Sequence, residues 1–280
     1  MSASVSEVTN MKDACDCHLH FYGCRDEYPQ RLDAAYQPPP ATPGEYKGVM
    51  SRLGLRRMVA VQSVIYGTDN SCMLDAMRRM NCQTRGVAVV PANVNIRQLK
   101  VLHDQGIRGV RAFMLEGGIY QWSDLPRLAE KINSVGWHLQ VQLNGRELER
   151  RGPWLAALGC PLVIDHIGKF IPPVDIEHPA FVALRRLIDG KNCWVKLSAP
   201  YESSRIGPPH YDDIKPLAVA LVRQAPERML WGTNWPHTAQ NNPPSEASLM
   251  KLLFAWAPSP GARRAILCTN PGELYGFEVA

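Results

Sequence analysis

Short apolar runs alternate with amphipathic stretches along the whole chain. The apolar runs predict strands over 14–19, 58–64, 86–91, 109–114, 138–143, 162–166, 193–198 and 229–233. Each is bounded by Gly, Pro or Asn, and several are rich in Val and Ile, as suits parallel strands buried on both faces. Helical periodicity fills the gaps, over 43–53, 70–80, 96–105, 123–135, 147–158, 179–189, 211–224 and 246–257. Ser123 and Asp124 form a suitable helix start, and Gly136 a suitable stop. Eight strands alternating with eight helices predict an α/β fold, the closed (β/α)8 TIM barrel. An open doubly wound sheet is the competing arrangement, but no GxGxxG follows the first strand. Pro38-Pro39-Pro40 reads as a rigid loop, so 1–280 is expected to form one domain, with 1–12 an extended or disordered arm.

At 280 residues the chain is long for one domain, although barrels often reach this size, and 45% hydrophobic residues can fill a large core. Charged residues make up 20% and the net charge is +5, with Lys and Arg scattered rather than run together. No basic arm or aromatic-basic motif predicts a nucleic-acid partner; the modest positive balance suits a small anionic substrate. The eight cysteines are dispersed, with no CxxC pair, and reduced thiols are expected. Cys15 and Cys17 alternate in the first strand and should share a face. The first twelve residues lack an apolar signal core and no run of 18 apolar residues occurs, so no membrane partner is expected and the location should be cytoplasmic. Oligomeric state is left open.

Barrel enzymes carry their reactive groups at the C-terminal ends of the strands. The first strand ends His18-Leu19-His20, whose imidazoles, two residues apart, can enter the barrel mouth together. The fourth carries Arg111. The sixth runs into Ile164-Asp165-His166-Ile167-Gly168-Lys169, and the eighth into Leu230-Trp231-Gly232-Thr233-Asn234-Trp235-Pro236-His237. Ionisable groups and strong donors thus converge from four strands on one rim.

HxH after the first strand, IDHxGK after the sixth and WGTxWPH after the eighth resemble the amidohydrolase-related family, in the branch that includes the 2-pyrone-4,6-dicarboxylate lactonases. The resemblance spans 16–275. With Trp194-Val195-Lys196 and Tyr201-Glu202-Ser203-Ser204-Arg205, the motifs are most similar to the galactarolactone isomerases of that branch, which rearrange the 1,5-lactone of galactarate into the 1,4-lactone. The lactonase pattern is not followed throughout. Met114-Leu115-Glu116-Gly117-Gly118 stands where the lactonases have a second arginine, and Gln142 where they have a tyrosine, which favours a polyhydroxylated lactone over a planar pyrone.

Most amidohydrolases have an aspartate where this chain has Asn234, binding metal or activating water. An amide cannot take a proton near neutral pH, and a lost general base costs about 10²–10⁴-fold in direct hydrolysis. An isomerase tolerates that loss, because its nucleophile is a hydroxyl of the substrate itself, for which effective molarities of about 10⁵–10⁸ M are attainable. The resemblance also implies that no metal or other cofactor is needed. His18, His20 and His166 remain as zinc-ligand candidates, without a carboxylate from the last strand to balance the ion.

The expected catalytic set is therefore His18, His20, His166, Asn234 and His237. The three strand-end histidines would donate to the developing oxyanion, one histidine would shuttle the proton, and His237 would accept it or support Asn234. Arg111 would bind a carboxylate, with Lys169 and Arg205 as further anion anchors. Tyr201, Ser203, Gln142 and Asn144 would contact substrate hydroxyls. The alternatives are a metal-independent lactone hydrolase using a histidine base, a zinc decarboxylase, and an impaired ligand-binding barrel.

Overall fold

The computed structural model describes residues 3–34, 36–238 and 240–278. Eight parallel strands form one sheet in sequence order: β1 (Cys15–Leu19), β2 (Arg57–Val61), β3 (Gln83–Ala88), β4 (Ile107–Phe113), β5 (His138–Gln142), β6 (Leu162–Ile164), β7 (Cys193–Leu197) and β8 (Met229–Trp231). The ring closes between its ends. Leu19 bridges Trp235, and Asn234 N donates to His18 O at 2.8 Å. This is the expected (β/α)8 barrel. Cys15, Cys17, Val59, Val61, Val87, Val163 and Leu230 pack inside it, while a larger apolar cluster fills the layer between strands and helices.

A helix follows each strand, and local signals set the ends of these helices. Thr42 and Glu45 cap one another at the start of the helix Pro43–Leu53, and Gly54, at φ 73°, ends it in the left-handed conformation that glycine adopts without strain. Asn95 and Gln98 do the same at the start of Ile96–Asp104. Two helices begin later than periodicity alone predicts. Leu125–Asn133 follows a 3₁₀ turn at Trp122–Asp124, and Lys215–Gln224 starts beside Pro216, a residue suited to a helix's first turn. The segment before it is held instead by Asp213, which accepts from Ser204 Oγ at 2.5 Å and Arg205 N at 2.7 Å.

The N-terminal segment corrects an expectation. Instead of an extended or disordered arm, Ala3–Thr9 is a helix, because Val8 and Met11 find apolar cover and Glu7 pairs with Arg263 at 2.8 Å. All eight cysteines are free thiols. No helix among the described residues is long and apolar enough to cross a membrane.

Strands β6 and β8 stop short of the expected 166 and 233, where the chain leaves the ladder. His166, Ile167, Lys169, Asn234 and His237 have φ between 47° and 61°. That region is costly for side-chain-bearing residues, most of all for β-branched Ile167, and such strain concentrates at functional sites. In β1 the register to β2 shifts between Asp16 and Leu19. This irregularity lets Cys17 face the barrel interior while the His18 ring lies at the top of the barrel, 5.0 Å from the His20 ring.

Candidate active site

A cavity of about 360 Å³ opens at the C-terminal rim, lined by His20, Tyr22, Tyr36, Arg111, Phe113, Gln142, His166, Lys169, Tyr201, Glu202, Asn234, Thr238 and Gln240. Of the residues expected at the site, His20, Arg111, Gln142, His166, Lys169, Tyr201 and Asn234 meet here. His18 lies one layer down, fully buried, its ring 4.7 Å from that of His166. His237 sits behind Tyr201, off the cavity, with Nδ1 2.9 Å from the phenol oxygen.

Three expectations are not met. Ser203 is buried and Arg205 exposed, both off the cavity wall. The 3₁₀ turn Pro200–Glu202 brings Tyr201 and Glu202 inward and carries the following residues away. Asn144 turns to the loop after β6, accepting from Ile171 N at 3.2 Å.

The floor is a compact charged network. Lys196 Nζ, fully buried on β7, donates to Gln140 Oε1 at 2.6 Å and lies 3.3 Å from His18 Nδ1 and 3.8 Å from Asp165 Oδ1. Gln140 Nε2 donates to Asp165 Oδ2 at 3.0 Å, and Arg111 Nε lies 3.9 Å from the same oxygen. Burial pushes Asp165 up, but His18 and Lys196 outweigh it and hold the carboxyl well below its usual range. Burial lowers Lys196 to about 8 and, with Lys196, keeps His18 neutral.

His20 departs from its expected role as an oxyanion donor. Its Nδ1 lies 2.7 Å from Val61 O, an acceptor only, so the ring hydrogen is on Nδ1 and Nε2 presents a lone pair. Burial, aided by Arg111, lowers this imidazole to about 3. Arg111 is a donor in this part of the cavity: its Nη1 and Nη2 each spend one hydrogen, on Gln62 O at 2.9 Å and Gln142 Oε1 at 2.6 Å. Three of its five N–H groups remain.

Asn234 is fixed by two acceptors. Its Nδ2 donates to Tyr201 Oη at 2.9 Å and to Glu202 Oε1 at 3.0 Å, which leaves Oδ1 for a ligand. Glu202 also pairs with Lys169. Burial raises Glu202, but His166 and Lys169 outweigh it and hold it at about 2. Glu202, Asp165 and Lys196 lie within the sequence motifs but outside the expected catalytic and binding sets. A carboxylate one residue after Tyr201 was the available signal for the first.

Among the described residues, one cluster could bring metal ligands together: His18, Asp165 and His166, with donor atoms within 4.8 Å of one another. The set fits a divalent ion poorly. Its single carboxylate already faces the cations of Lys196 and Arg111, which would sit beside the added charge.

Fold and site define a barrel enzyme whose strand-end imidazoles, guanidinium and amide converge on a small polar cavity. The chain belongs to the amidohydrolase family, whose model matches residues 15–277. It is 34% identical over 267 residues to a 4-sulfomuconolactone hydrolase of Hydrogenophaga intermedia, covering 93% of this chain and 88% of that protein. It is 32% identical to the D-galactarolactone isomerase of Agrobacterium fabrum strain C58, covering 94% and 91%. It is 31% identical to a 2-pyrone-4,6-dicarboxylate hydrolase of Comamonas testosteroni, covering 94% and 90%. The branch is thus the one its motifs resemble, and the chain is an enzyme of the amidohydrolase superfamily.

Proposed function

We propose that this enzyme isomerises a sugar-diacid lactone, galactaro-1,5-lactone to the 1,4-lactone, by intramolecular acyl transfer. The observation that carries this reading is Asn234, an amide at the rim of the last strand, oriented by Tyr201 and Glu202 so that Oδ1 can accept from a substrate hydroxyl. A tethered hydroxyl needs positioning more than it needs a strong base. The cavity wall supports a polyol: Tyr22, Tyr36, Tyr201, Thr238, Gln142 and Gln240 offer hydroxyls and amides. Its charge supports a monoanion. The cations of Arg111, Lys169 and Lys196 face the carboxylates of Asp165 and Glu202, leaving one positive charge for one substrate carboxylate.

In this reading His166 faces the lactone carbonyl and its developing oxyanion, and Arg111 the substrate carboxylate. His18, held by Lys196 and Asp165, supports the His20 and His166 imidazoles from beneath. The substrate's own hydroxyl attacks the carbonyl carbon, and the ring oxygen departs.

Hydrolysis is the second reading, favoured by Glu202, a cavity carboxylate beside Asn234. At about 2 and bound to Lys169 it is a weak proton acceptor at neutral pH. Proton NMR of galactaro-1,5-lactone with the enzyme separates the two. A 1,4-lactone forming before open-chain diacid supports isomerisation, and diacid with no rearranged lactone overturns it.

A further inference from the structure

The isomerisation needs a group that takes a proton from the attacking hydroxyl and returns one to the departing oxygen. Within the cavity, His20 is held at about 3 and Glu202 at about 2, and burial lowers His166. His237 has different surroundings. On one side Nδ1 lies 2.9 Å from Tyr201 Oη, and on the other Nε2 lies 3.6 Å from Glu246 Oε1, at the start of the helix Glu246–Trp256.

The hydrogen-bond directions follow from the acceptors. Glu202 can only accept, which sets the orientation of the Asn234 amide, and the other hydrogen of Nδ2 goes to the Tyr201 oxygen. Tyr201 is then free to donate to His237 Nδ1, which puts the imidazole hydrogen on Nε2, facing Glu246. Tyr201 lines the cavity; His237 lies behind it.

Resting on the isomerase reading, we infer that Tyr201, His237 and Glu246 form the proton relay of this enzyme. Tyr201 is the catalytic residue, touching the substrate hydroxyl. His237 and Glu246 are positioning residues that act through it, the arrangement in which a third group orients a base behind the reacting one. As the new C–O bond forms at the carbonyl carbon, the attacking hydroxyl gives its proton to the Tyr201 oxygen and the Tyr201 proton passes to His237 Nδ1. The imidazolium is stabilised by the Glu246 carboxylate. When the ring C–O bond breaks, both transfers reverse and the departing oxygen leaves as a hydroxyl. No proton is consumed, as an isomerisation requires.

The charged and titratable groups around His237 are few. Glu246 is raised by burial but brought below its usual value by His237, and Arg52 lies 3.8 Å from its other oxygen. Tyr201 is itself raised by burial and by Glu202, with Tyr211 and Tyr22 adding to the effect.

The test is kcat and KM on the lactone, read together with ¹⁵N imidazole NMR. Tyr201→Phe and His237→Gln are each expected to lower kcat about 10²–10⁴-fold with KM little changed. Glu246→Gln is expected to give a smaller loss of kcat, again with KM little changed. In the wild-type protein NMR should find the His237 hydrogen on Nε2, a readout that needs no variant to fold. Wild-type kcat in Tyr201→Phe or His237→Gln, or a hydrogen on Nδ1, overturns the relay. Diacid as the sole wild-type product ends the isomerase reading instead, and leaves the relay to the tautomer and the variant rates.

Discussion

Glu202 Oε1 lies 3.0 Å from Nδ2 of Asn234, so the cavity carboxylate beside Asn234 is bound to an amide and to Lys169 rather than left to draw a proton from water. Reaction type is expected to turn on this pair.

Asn234→Asp places a second carboxylate against Glu202 Oε1. Two such groups cannot both ionise freely, so one of them titrates higher and becomes a usable base. Hydrolysis of the lactone to open-chain diacid is expected to rise about 10²–10⁴-fold, with the isomer falling as a share of product. The product ratio by NMR checks this.

Glu202 also links pH to stability. Its carboxyl is held at about 2 in the folded protein against an ordinary 4.5, worth ~3 kcal/mol. For a lowered carboxyl, that contribution is complete above pH 4.5 and is lost as pH falls toward 2. Glu202→Gln should therefore lower stability at neutral pH, and its difference from wild type should shrink across that acid window in denaturant melts.

Lys196 is lowered to about 8 from an ordinary 10.5. Below pH 8 its ammonium faces Asp165 and His18; above it the carboxylate loses that partner. An alkaline limb of kcat is expected near pH 8, and Lys196→Met should lower kcat and remove the limb. Between pH 8 and 10.5 the unfolded chain holds the extra proton, so this group's contribution to stability rises with pH, and the variant should lose that rise.

Arg111→Met removes the guanidinium that this reading gives to the anionic substrate. A charge-assisted hydrogen bond contributes about 1.5–3 kcal/mol, so KM for a carboxylated lactone should rise about 10–100-fold. A neutral sugar lactone should show little change in KM, which separates charge recognition from general damage to the cavity.

The barrel was legible because its strands repeat with short apolar runs and sharp boundaries, and because strand ends are where barrel chemistry collects. His20, Arg111, His166 and Asn234 were found by that rule. The register shift in β1 was not visible: it lies beside Asp16, whose partner Thr233 is 217 residues away in the chain. Arg205 and Ser203 were misplaced for a related reason: a 3₁₀ turn rotates successive side chains by about a third of a circle, so neighbours of a true site residue face elsewhere. The roles of Glu202 and Glu246 rest on partners 32 and 9 residues away, Asn234 and His237, which periodicity does not report.

Asp16 is fully buried and accepts from His18 N at 3.0 Å, Thr233 N at 3.0 Å, Thr233 Oγ1 at 2.5 Å and Tyr46 Oη at 2.9 Å. One carboxylate thereby anchors the backbone on both sides of the seam, next to Asn234 on one strand and at His18 on the other. Closing the ring and aligning the reacting groups are a single mechanical event. A chain that fails to join its first and last strands has no partly formed pocket to work with, and any drift at that joint reaches the chemistry before it reaches the helices.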